Sequence, residues 1–224
     1  MRAVAVDGTV HTAVGTRKGI RVVRRGPHPG SRTVGTRTDS PSAIDATGRT
    51  VVTVEGVLID VATGGRRQGF EGEDLLPIAA FSPDGRFSAA ADVQGRLTLW
   101  DAGGRHRIAV LATADSTVGR PALAFSADGS LLAASRADGS VRVWETASPR
   151  LPGASLPAGG GPILAVGFTP GGRELRIATA HMPLRSVRLT PVRAAAEVCA
   201  RADGGATRAE WSRYLPDVPY RHAC

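Results

Sequence analysis

PALAFSADGSLLAASRADGSVRVWET, residues 121–146, decides how the rest of the chain is read. PALAF is a short strand ending at Phe125. SADG is a tight turn in which Gly129 is free to take a positive φ. SLLAAS is a second strand, apolar on both faces. RADG is a second turn, and SVRVW a third strand that alternates and ends at Trp144.

Weaker copies of this unit fill most of the chain. Turn glycines fall at Gly8, Gly48, Gly85, Gly129 and Gly172, spaced 40, 37, 44 and 43. Third strands fall at IRVV (20–23), VLID (57–60), LTLW (97–100), VRVW (141–144) and VRLT (187–190), spaced 37, 40, 44 and 46. Two independent marks share one period. A period near 40 with four strands per unit marks a β-propeller blade. First and second strands that are apolar on both faces fit blades covered on both sides, where a half-exposed strand would alternate.

FSPDGR…GRLTLWDAG (81–103) and FSADGS…ADGSVRVWET (125–146) resemble WD-repeats. The unit around GFTPGGRELRIATA (167–180) is similar, and the first two units less so, with Val23 and Ile59 in place of the tryptophan. The resemblance implies an all-β fold: a β-propeller of about five blades over 1–192 (1–38, 39–73, 74–115, 116–158 and 159–192) and a helical tail over 193–224. The family's hydrogen-bond set links a histidine, a Ser/Thr, a turn Asp and the third-strand Trp. Asp138 and Trp144 match it, Trp100 holds the tryptophan position of unit three, and Gln94 stands where that unit's Asp is expected. The histidine position falls near Gly72 in unit three and near Ser116 in unit four.

The tail pairs an alanine-rich stretch, 193–202, with TRAEWSRYL, whose Thr207 and Glu210 have capping-box spacing. It resembles the tail of bacterial WD-repeat proteins of signalling and regulation, on Cys199, Glu210, Trp211, Tyr214, Leu215, Pro216, Pro219, Tyr220 and Cys224. Trp211 is expected to anchor it. Cys199 and Cys224 are open to three readings: a disulfide, two buried thiols, or a metal or redox role. The fifth unit has three strands, and no segment before residue 1 supplies a fourth. Two explanations stand: further blades upstream, making this the C-terminal part of a longer protein and of a seven-bladed ring such as the family usually forms, or a five-bladed ring closed without strand exchange.

Composition narrows the chemistry. The 224 residues carry a formal charge of +8, nearly all the cations being arginine, scattered at about one per eight residues. That dispersion disfavours nucleic acid, which prefers a patch with interleaved aromatics. No apolar run is long enough for a membrane span, so a cytoplasmic location is expected. The five histidines are dispersed, and no GxSxG, GxxxxGK[ST] or GxGxxG occurs. Asp84, Asp128 and Asp138 each sit in a repeat turn, where Asp caps its own backbone. No enzyme activity, metal or cofactor is therefore expected.

The expected function is a non-catalytic protein-interaction scaffold or sensor module. The resemblance implies a partner face that carries the second-to-third-strand turns and interblade loops: Arg17, Lys18, Asp92, Gln94, Arg120, Arg136, His181 and Arg185. Their net positive charge suits an acidic protein surface. A small-ligand or hydrolytic propeller would need polar groups at the inner strands. The positions there are Val4, Ile44, Ile78, Leu123 and Leu164, all apolar. A truncated, non-functional remnant is the third reading.

Overall fold

The computed structural model describes residues 2–6, 9–73, 75, 78–112, 121–172, 174–182 and 184–189, together with Ala209 and Arg213. For 2–6 and 9 only the backbone is described. The chain divides into two compact units, 1–186 and 187–224. In the second, Ala209 and Arg213 are helical and exposed. Arg120, Cys199, Trp211 and Cys224 lie outside the described residues.

Among the described residues nineteen strands form five antiparallel sheets, each built in sequence order. Sheet one is β1 (Arg2–Val6), β2 (Thr9–Thr16), β3 (Gly19–Arg25) and β4 (Gly30–Val34). Sheet two is β5 (Pro41–Ile44), β6 (Thr50–Thr53), β7 (Val57–Asp60) and β8 (Arg66–Gln68). Sheet three is β9 (Ile78–Phe81), β10 (Phe87–Ala91), β11 (Leu97–Asp101) and β12 (Arg107–Ala112). Sheet four is β13 (Leu123–Phe125), β14 (Leu131–Ser135), β15 (Ser140–Glu145) and β16 (Ala154–Pro157). Sheet five has three strands: β17 (Ile163–Phe168), β18 (Glu174–Thr179) and β19 (Arg185–Arg188). The last of these starts two residues earlier than the VRLT repeat predicts.

The turn chemistry is what the repeat requires. Gly48, Gly85, Gly129 and Gly172 have φ between +66° and +73°, a region costly for any residue with a Cβ. The preceding serine and aspartate bind the turn. In 126–131 Ser126 Oγ donates to Asp128 Oδ1 (2.6 Å), which accepts from Ser130 N (3.1 Å). In 82–87 the same pattern recurs with Ser82 and Asp84 (2.6 Å).

The core lies between sheets, not within one. On sheet two, Ile44, Val51 and Ile59 are cross-strand neighbours and pack on Ala13, Ile20, Val22 and Val34 of sheet one. The other face, Ala43, Val52 and Leu58, packs on Ala79, Ala90 and Trp100 of sheet three. The opposite face of sheet three, through Ala91, Leu97, Ala89 and Leu99, meets Phe125, Leu132, Ala134 and Trp144 of sheet four. Burial on both faces explains why the middle strands lack alternation. Phe70 bridges sheets two and three. It adopts φ +56°, unusual for an aromatic residue, with its ring edge-on to Trp100 at 5.4 Å and its N–H donating to Gly104 O at 2.7 Å.

The inner strands of consecutive sheets touch one another in chain order. Among the described residues, no comparable contact joins sheet five to sheet one. On β17 a register shift between Ile163 and Ala165 leaves Leu164 67% exposed, unlike the buried Ile44 and Ile78 of the earlier inner strands.

Candidate interaction surface

The second-to-third-strand turns bring the sequence candidates to the protein surface with different fates. Arg17 and Lys18 are exposed in the β2–β3 turn. Asp92, expected on the partner face, is instead 1% exposed. Its Oδ1 accepts from the N–H groups of Gln94 (2.9 Å) and Arg96 (2.8 Å), and Oδ2 pairs with Arg96 Nε at 3.1 Å. The turn acid of sheet three thus sits two positions before Gln94, which is exposed. Either position lets a carboxylate reach the turn's N–H groups, so the backbone cap survives the shift.

Arg96 also reaches Glu73, Nη2 to Oε2, at 3.1 Å. Glu73 is 1% exposed at its side chain, next to where the resemblance puts a histidine, and Arg107 approaches it at 3.4 Å. Burial pushes the Glu73 carboxyl up, and the neighbouring Arg96 charge opposes this. This group of two buried acids under two partly exposed arginines was not legible from spacing, because its members come from a loop, a turn and an outer strand. Trp100 Nε1 donates to Thr98 Oγ1 at 2.9 Å, so the tryptophan of sheet three is satisfied within its own strand.

Arg136, Asp138 and the Gly159–Pro162 loop border one hollow of about 950 Å3 between sheets four and five. Arg136 Nε lies 3.5 Å from Asp138 Oδ2. Asp138 is held by Ser140, accepting from its Oγ (2.6 Å) and N (2.9 Å), and the Ser140 hydroxyl leads the causes that lower its carboxyl. Arg185 donates from Nη1 to Pro157 O (2.9 Å) and Ala158 O (3.0 Å), fixing the loop that bears the hollow's glycines. At Gly160, φ +142°, a Cβ would stand 2.7 Å from Thr179 Oγ1. His181 is exposed beside Gly161. Arg136, His181 and Arg185 therefore surround one region, whereas Arg17 and Lys18 border a separate hollow of about 430 Å3 on sheet one, with Arg21, Ser31, Arg32 and Thr33.

The charge is not spread as the arginine count suggests. Between Asp7 and Asp39 the chain carries seven cations and no carboxylate: Arg17, Lys18, Arg21, Arg24, Arg25, Arg32 and Arg37. Counting acids along the sequence, not cations, exposes this. Arg24 and Arg25 lie within β3, and Arg66 and Arg67 within β8, none in a turn. Arg66 forks onto Asp39 with bonds of 2.6 and 2.9 Å, and that guanidinium holds the Asp39 carboxyl down at about 2. Among the described residues no group of three or more His, Cys, Asp or Glu could hold a metal. No helix there is long and apolar enough to cross a membrane.

Residues 110–145 match the model of the WD40 family, described as WD domain, G-beta repeat. Among solved structures the chain is similar to the β-propeller domain of Cps50 (Swd1) from Myceliophteria thermophila, with 18% identity and a TM-score of 0.58 over 83% of this chain and 64% of that one. The fold is a β-propeller. A chain in a mitotic checkpoint complex is similar at 17% identity and a TM-score of 0.58, over 84% of this chain and 63% of that one. This propeller chain spans less than two thirds of the length of either structure. Comparison with curated protein sequences gives no match. The five sheets are its blades, and 110–145 places the WD-type repeat on blade four and the strand leading into it.

Proposed function

We propose that this chain is a non-catalytic protein-interaction module, cytoplasmic and part of a bacterial signalling or regulatory protein, whose partner presents an acidic surface. One observation carries the reading. The carboxylates that could have formed a reactive set, Asp84, Asp92, Asp128 and Asp138, are each engaged within their own turns. Exposed cations, by contrast, occupy the β2–β3 turn, Arg17 and Lys18, and the start of β19, Arg185. A disc of stacked blades with varied loops suits docking, and complementary charge would set partner choice and encounter rate. Arg17, Lys18, Gln94, Arg120, Arg136, His181 and Arg185 are proposed as docking positions. Asp92 is withdrawn, because it is buried beneath Arg96.

The test is site-specific photo-crosslinking in native cells from Lys18, Gln94 and His181, with Arg150 on an exposed β15–β16 loop as reference. Protein adducts that form from the turn positions and not from Arg150 support the reading. Adducts that are equal everywhere, or absent from the turn positions, contradict it.

A further inference from the structure

We propose that the outer edge of blade one, strand β4 with the cations on both sides of it, is a docking site for an extended acidic segment of a partner protein. The inference rests on the interaction-module reading and moves the docking site from the ring of turns to a particular sheet edge.

Four observations meet there. First, Arg17, Lys18, Arg21, Arg24 and Arg32 form no ion pair among the described residues, in contrast to Arg66, Arg86, Arg96 and Arg107. The Asp60 carboxylate senses Arg32 but is engaged by Thr63, from N at 2.6 Å and Oγ1 at 2.7 Å. Second, register puts these cations on both faces of the sheet. Arg21 stands opposite Thr33, and Val22 opposite Arg32, so their side chains alternate across the pleat. Third, a hollow flanks β4 on each side, and both are bordered by Ser31 and Arg32. The one toward blade two, about 560 Å3, adds Arg24, Arg49 and His11, which is 8% exposed and whose Nδ1 has no hydrogen-bond partner among the described residues. Neither hollow is lined by a carboxylate. Fourth, β4 is the outermost strand of its sheet, and Gly30, Ser31, Arg32 and Thr33 are all exposed.

A sheet edge offers unpaired backbone groups to an extended chain, whose alternate side chains then fall on either face. An acidic segment laid along β4 would set carboxylates over Arg21 on one side and over Arg24 and Arg32 on the other. Charged edges also deter edge-to-edge aggregation. That need does not account for the whole set, since the outer strand of blade four, ASLP, carries no charge at all. Nucleic acid fits less well, because residues 8–38 contain no Phe, Tyr or Trp on which bases could stack.

The experiment titrates the purified chain with a fluorescent oligoglutamate peptide and, separately, with a single-stranded oligonucleotide of equal charge. Wild type, R21E/R32E, R21Q/R32Q and, at exposed arginines away from every candidate position, R150E/R176E are compared, each first checked for an unchanged unfolding transition. Arg21 and Arg32 are exposed, so these variants should fold. The expected result is peptide binding weakened about tenfold or more in R21E/R32E, less in R21Q/R32Q, and little changed in R150E/R176E. Peptide binding that is absent, or indifferent to Arg21 and Arg32, overturns the edge proposal. So does an oligonucleotide that binds more tightly than the peptide through the same two arginines. Crosslinks from Lys18, Gln94 and His181 in cells would survive either failure, which separates this proposal from the interaction-module reading.

Discussion

Blades one and three share the four-strand plan and use charge in opposite ways. In blade three Arg86 pairs with Asp84, Arg96 with Asp92 and Glu73, and Arg107 with Glu73. Its arginines hold turns and loops against the sheet. In blade one the cations of β3, β4 and their turn have no acid among residues 8–38. The packing differs in parallel: blade three closes on Trp100, 2% exposed, whereas Val23, at the same repeat position in blade one, is half-buried. Charge consumed by the fold cannot also recognise a partner. Blade one leaves its charge available, whereas blade three commits Arg86, Arg96 and Arg107 to ion pairs.

Breaking the packing side of this contrast should give the largest effect. Trp100→Ala removes the ring that meets Phe70 and should cost about 3–5 kcal/mol in denaturant unfolding. Val23→Ala, half-buried in blade one, should cost about 1 kcal/mol or less. Equal losses would show that the two blades are packed alike.

The ion pairs come next. Arg96→Met removes the cation shared by the buried Asp92 and Glu73 carboxylates, leaving Glu73 only Arg107, and should cost about 2–4 kcal/mol. Arg21→Met in blade one should stay within about 0.5 kcal/mol. A loss at Arg21 as large as that at Arg96 would mean that the blade-one cations are structural after all.

Acid should then separate the regions. Asp39, held by Arg66, ionises at about 2 in the fold against an ordinary 3.8. The folded value is depressed, so its contribution is complete above 3.8 and is lost as pH falls toward 2. Asp128, with a hydroxyl donor from Ser126, behaves in the same direction. Asp39→Asn should flatten the fall in stability over that window, as measured by urea midpoints at several pH values. Residues 8–38 contain no acid, so Arg21→Gln should leave the slope unchanged, whereas Arg32→Gln should alter it slightly through Asp60, whose carboxyl Arg32 helps to hold down.

The smallest effect is screening. Added salt should stabilise wild type slightly by relieving repulsion among Arg17, Lys18, Arg21, Arg24 and Arg25, and this gain should shrink in R24Q/R25Q. A gain identical in both proteins would remove repulsion as a property of blade one.

Much of this architecture was legible before any coordinates. Gly48, Gly85, Gly129 and Gly172 mark turns because a positive φ excludes most side chains, and a local rule survives in the sequence. Ser-x-Asp-Gly turns are legible for the same reason. Asp92 was not: a capping acid can sit two residues earlier and bind the same turn, so spacing assigns the job to Gln94. The Glu73–Arg96–Arg107 group escaped because its members are far apart in the chain and meet only when β12 returns beside the turn. The acid-free stretch of blade one was present in the letters throughout. The arginine positions alone do not reveal it, since charge becomes available only where its opposite is missing.

The most direct measurement is an amide NMR titration of the whole chain with the oligoglutamate peptide at low salt. The account predicts that the largest shift changes fall on Arg21, Ser31, Arg32 and Thr33 and disappear at high salt. Changes centred on Arg136–Ser140 and Gly159–Pro162, or spread evenly over exposed arginines of blades three and four, would contradict it.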